Sequence, residues 1–125
     1  MTICSKRYKI PNIIISTFQN RSEDENMIHT KVKLSKKEAD GYIIPLGKLN
    51  LVNAVTDVGM VGCGAFDVAA LNNFGYPAAK VRPAQGNSIA TIEDLLQGIV
   101  REVNPAAEKL GLKVGISGRD ALELM

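Results

Sequence analysis

The stretch Leu49-Asn50-Leu51-Val52-Asn53-Ala54-Val55-Thr56-Asp57-Val58-Gly59-Met60-Val61-Gly62-Cys63-Gly64-Ala65-Phe66-Asp67 decides the fold. Leu49 to Thr56 reads as a strand, Asp57-Val58-Gly59 supplies turn chemistry, and Met60 to Gly64 returns as a second strand. That is a β-hairpin. From Phe66 to Phe74 the spacing turns helical, with Phe66, Ala69, Ala70 and Asn73 on one face and Val68 and Leu71 beside them. Gly75 ends the helix, since glycine takes the left-handed conformation a helix C-terminus needs.

Working back from the hairpin, Ile28, Thr30, Val32 and Leu34 alternate with His29, Lys31 and Lys33, the period of a half-buried strand. Ser35 to Asp40 reads as a charged connection leading to Gly41–Gly47, where Pro45 confines any strand to an edge or an end. Working forward, Ala78 to Arg82 is a short strand and Pro83 to Asn87 a loop. Thr91-Ile92-Glu93-Asp94 is a capping-box pattern, and Ile92, Leu95, Leu96 and Ile99 form a core-facing stripe. Gly98 closes that helix and Ile99 to Val103 follows as a strand. Asn104-Pro105 opens a further helix with Asn as cap and Pro at the first helical position, ending at Gly111. Ser117-Gly118-Arg119-Asp120 repeats the capping pattern before Ala121, Leu122 and Leu124. Strands first, mixed elements later and only short helices predict an α+β fold. Its sheet is small, mixed or antiparallel, with a central hairpin and three or four short helices.

The chain has 125 residues, room for one domain of ordinary size. Aromatic residues make up 5% and Trp is absent, so the core is built from Ile, Val, Leu and Ala. A net charge of +2 argues against a nucleic-acid partner. The apolar runs fall far short of the roughly 20 residues a membrane helix needs, and the Ile13-Ile14-Ile15 patch is too short for a signal peptide. The protein is therefore read as cytoplasmic, without membrane association. Two cysteines and one histidine supply neither a disulfide framework nor a four-ligand zinc site, so no cofactor and no metal are called for. Gln19 to Asn26 is a polar run, and regular patterning begins only at Met27. Residues 1–26 are thus read as an appendage, disordered or adding an edge strand through Ile13 to Phe18, and 27–125 as the domain. Met27 is then a candidate translation start; the intact mass of the native protein checks this, and a chain beginning at Met1 or Thr2 rejects it.

Three glycines, Gly59, Gly62 and Gly64, inside or beside a strand mark a place where another backbone or a ligand comes close. The segment is neither a dinucleotide fingerprint, since Asp67 stands where a third glycine belongs, nor a Walker loop, since no Gly-Lys-Ser/Thr follows. Cys63, at a strand end beside a helix start, is the candidate nucleophile, with His29 the single histidine to serve as base. Its simpler role is that of a small buried hydrophobe. Gly62, Gly64, Asp67, Arg82 and Arg119 are the candidate ligand-binding residues, the two arginines as anion partners if they face this segment. Asp67 also suits ordinary complementation of a helix N-terminus. His29, Lys31, Lys33, Lys36 and Lys37 read as the solvated, charged flank of an edge strand.

The blocks Leu46-Gly47-Lys48-Leu49-Asn50-Leu51-Val52, Gly59 to Val68, Ile92 to Leu96, Ala107 to Leu112 and Gly118 to Leu122 resemble the YunC-like family of unknown function. The resemblance runs from about Met27 to the C-terminus. It implies a small α+β domain of archaeal or bacterial type and transfers no activity and no catalytic residues. Three readings of function follow. The first is a domain binding a small ligand, an anion among the candidates, or a protein partner near residues 59–67. The second is a thiol-dependent enzyme with Cys63 as nucleophile. The third is a structural or homo-oligomeric module in which the glycines serve packing.

Overall fold

The computed structural model describes residues 26–86 and 88–125. The expectations for the N-terminal appendage therefore fall, but for Asn26, outside the described residues. Six strands, β1 Ile28–Lys33, β2 Glu38–Pro45, β3 Asn50–Val55, β4 Met60–Gly62, β5 Ala78–Arg82 and β6 Ile99–Val103, form one sheet in sequential order. Neighbours are antiparallel except β4 and β5, which run parallel. A parallel pair cannot be joined by a tight turn. The crossover here carries helix α1, Val68–Leu71, and a 3-10 turn, Asn72–Phe74. Three more short helices follow: α2 Ile92–Gln97, α3 Pro105–Glu108 and α4 Gly118–Glu123. The α+β expectation holds, with a mixed sheet.

The hairpin expectation holds at β3 and β4. Thr56 Oγ1 accepts from the amides of Val58 (3.1 Å) and Gly59 (3.2 Å), so the side chain closes the turn between them. Two boundaries differ. Strand β2 starts at Glu38, inside the stretch read as a connection, because Ala39 sits fully buried opposite Val32 while Glu38 is exposed and Asp40 half-buried. Small inward residues hid that alternation among charges. The helix expected over Phe66–Phe74 keeps only four α-helical residues, because the Asp67 carboxylate caps it by accepting from Ala70 N (3.0 Å). Its inward residues are Val68 and Leu71 rather than the Ala69–Ala70 face. Gly75 ends the following 3-10 turn at φ 67°, as expected.

One sheet face, from Val32, Ala39, Val52, Ala54, Val61 and Val81, packs against Ile92 and Leu95 of α2 and Ala121 and Leu122 of α4. This layer is aliphatic, as the composition requires. On the other face Met60 and Ala78 are covered by Val68, Phe66, Leu71 and Tyr76. The β6 edge is closed by the chain before α4, with Val100 N donating to Ile116 O (2.7 Å) and Gly115 N to Val100 O (2.9 Å). The β1 edge carries His29, Lys31 and Lys33. Thr91 forms the capping box as read, its Oγ1 accepting from Asp94 N (3.1 Å) while the Asp94 carboxylate accepts from Thr91 N (3.2 Å), and Ser117 Oγ caps α4 by accepting from Asp120 N (3.0 Å). No helix among the described residues is long and apolar enough to cross a membrane.

Candidate functional site

Strands β4 and β5, being parallel, end on the same side of the sheet, and there the chain leaves a cleft of about 290 Å³. Crevices beyond the carboxyl ends of parallel strands are favoured places for ligands, because loops rather than packed side chains fill the space. The turn after β4 contributes Cys63 and Gly64, the end of β5 contributes Arg82, and β6 contributes Arg101. Asn50 and Ser88 complete the polar lining. Leu49, Ala65, Val81, Pro83 and Ile89 form the apolar part.

The frame is held by backbone and caps. Cys63 N donates to Val52 O (3.0 Å), prolonging the β3–β4 ladder by one residue, and Cys63 O accepts from Phe66 N (3.3 Å) to close the turn. The wall around Ile89 is anchored twice. Asn50 Nδ2 donates to Ala90 O (3.0 Å), and the Asp94 carboxylate accepts from the amides of Ala90 (3.1 Å) and Thr91 (3.2 Å). Arg101 reaches the cleft through an irregularity in the sheet. Lys80 pairs with Glu102 but Val81 pairs with Val100, so Arg101 is the extra residue of a β-bulge in β6. Bulges re-aim side chains and recur beside functional sites. Among the described residues neither Arg82 nor Arg101 has a carboxylate within ion-pair distance, and no acidic side chain lines the cleft.

The sequence candidates separate. Cys63, Gly64 and Arg82 are brought together in the cleft. Cys63 is 6% exposed and packs in the aliphatic core, as a small buried hydrophobe does, while it also lines the cleft. Gly62 is not in the lining: the space a side chain would take there is filled by the Phe66 ring and the Met60 methyl. Asp67 serves as the cap of α1. Arg119 does not face the glycine-rich segment; it pairs with Glu123 (3.5 Å) and donates to Lys33 O (3.3 Å) at the β1 side. Its capping-pattern neighbourhood put it on α4, and α4 packs toward that end. His29 does not reach Cys63 either. It sits on β1, three strands from β4, roughly 14 Å at about 4.8 Å per strand. There it stacks on Tyr42 (5.0 Å between centroids) and bonds Asp40 (2.9 Å). Hydrogen bonds from Lys31 and His29 hold the Asp40 carboxyl below the usual carboxylate range. A thiol–imidazole pair is thus not assembled. Arg101 was missed because a bulge leaves no mark in a single sequence; its signal is only a charge inside an apolar strand.

Three comparisons bear on kinship. Residues 62–125 match the family model described as a domain of unknown function, DUF1805. The uncharacterised protein YunC of Bacillus subtilis is 34% identical over 93 residues, covering 74% of this chain and 91% of that one. A crystal structure of a protein of unknown function from Thermoplasma acidophilum aligns with a TM-score of 0.71 at 22% identity, covering 83% of this chain and 97% of the other. At that identity the last speaks for the fold alone. Together they bear out the YunC-like resemblance read from the sequence. The matched stretch begins at Gly62 and holds Cys63, Arg82 and Arg101; Leu49 and Asn50 precede it.

Proposed function

The chain belongs to the DUF1805 family, and from that premise we propose that its domain binds a small anionic ligand in the cleft beside Cys63. The observation that carries this reading is the convergence of Arg82 and Arg101 on a cleft that, among the described residues, is lined by no acidic side chain. Guanidinium groups are the preferred partners of planar anions, presenting paired donors to two oxygens. Gly64, with no neighbouring atom within 4 Å of the position a Cβ would take, leaves the backbone open to a ligand. Cys63 supplies a reporter.

Iodoacetate and iodoacetamide differ mainly in charge, so their relative rates at Cys63 read the local field. Faster labelling by iodoacetate, with the preference lost in Arg101→Ala, is the expected result, and peptide mass spectrometry separates Cys63 from Cys4. Equal or slower labelling by iodoacetate, unchanged in Arg101→Ala, rejects the anion site. For a ligand found by calorimetry, Arg101→Ala is expected to weaken binding by about 10- to 150-fold, the equivalent of a charged hydrogen bond of roughly 1.5–3 kcal/mol. The place of Cys63 in the cleft wall favours thiol chemistry as a second reading. Retention of any discovered turnover by Cys63→Ala would remove it.

A further inference from the structure

We propose that the ligand is a compact organic anion with an aliphatic body, its carboxylate held by Arg82 and Arg101 and its hydrocarbon part lying against Leu49, Val81 and Ile89. This rests on the anion-binding reading above and adds the chemical class. Four observations lead to it. The cleft, at about 290 Å³, stands at the lower limit of the roughly 300–1,000 Å³ usual for ligand pockets, so it holds a compact molecule. Among the described residues its apolar lining is aliphatic, with no Phe or Tyr on which a nucleobase could stack. Leu49 is 56% exposed at the rim, an apolar side chain that an aliphatic ligand would cover. The floor beneath it is preformed, because Val81 and Ile89 are buried and the wall is anchored by Asn50 and Asp94.

Calorimetry of the full chain with acetate, butyrate, hexanoate and inorganic phosphate at low ionic strength tests this. Affinity is expected to rise about three- to fourfold for each added CH2 until the cleft is filled. Leu49→Ser, a change at an exposed position, is expected to flatten that rise. Arg101→Ala is expected to weaken every carboxylate alike. If anions bind in an Arg101-dependent way but chain length makes no difference, or phosphate binds more tightly than hexanoate, the aliphatic class is wrong and the anion site stands. If no anion binds, both proposals fall.

Discussion

Asn104→Ala is expected to destabilise the domain by about 3–5 kcal/mol, enough to bring a domain of ordinary stability, roughly 5–15 kcal/mol, close to unfolding. Asn104 is 2% exposed and all of its hydrogen-bonding capacity toward the chain is engaged. Its Oδ1 accepts from Ala78 N (3.1 Å) on β5 and from Ala107 N (2.9 Å) in α3. Its Nδ2 donates to Val68 O (2.9 Å) in α1 and to Tyr76 O (2.8 Å) in the crossover. One side chain therefore ties the parallel connection, the strand that follows it and the helix after β6. Truncation to alanine leaves the Ala78 and Ala107 amides and the Tyr76 carbonyl without this partner, while Val68 O keeps the Asn72 amide; each group left unsatisfied costs about 1–3 kcal/mol, with partial relaxation keeping the sum below simple addition. Asn104→Asp retains the acceptor and aims a second oxygen at two carbonyls, so it is expected to be no milder. Urea denaturation followed by circular dichroism measures both. A loss near 1 kcal/mol for Asn104→Ala would mean that the residue is only a helix cap.

Gly118→Ala is the second large effect, and its sign is informative. In a helix, Gly to Ala ordinarily stabilises by up to about 1 kcal/mol. Here the Cβ would run into the backbone carbonyl of Leu95, because the first residue of α4 lies directly on α2. The same residue donates its amide to Gly98 O (2.9 Å), so the backbone cannot retreat without losing that bond. Overpacking against backbone is expected to cost about 2–3 kcal/mol, outweighing the propensity gain. Gly64→Ala serves as the control, since no atom stands within 4 Å of its added Cβ, and it is expected to stay within about 0.5 kcal/mol of the parent. Thermal melts of the two variants side by side decide the matter: equal stability would show that α2 and α4 can separate freely.

Much of the candidate site could be foreseen and one half could not. Cys63, Gly64 and Arg82 were legible because they lie at strand ends, and strand ends are marked by local glycine, proline and charge. Arg101 was not legible, because its direction follows from a register slip between β5 and β6. Arg119 and His29 show the reverse: their residue types suited an anion partner and a base, yet the sheet order sets His29 three strands away and helix packing turns Arg119 to Glu123. Residue type sets what a side chain can do; topology sets what it can reach.

By itself the sequence determined the local grammar of this protein: the β3–β4 hairpin, the capping box at Thr91, the caps at Asn104 and Ser117, the stop at Gly75 and an aliphatic core. Each depends on residues within a few positions of one another, where side chain and backbone interact whatever the rest of the chain does. Tertiary structure alone decided that β4 and β5 run parallel, that Asn104 fastens four segments, and that two arginines from different strands flank one thiol. Those outcomes depend on register and packing across long separations, where one slipped residue or one absent Cβ moves a side chain to another face.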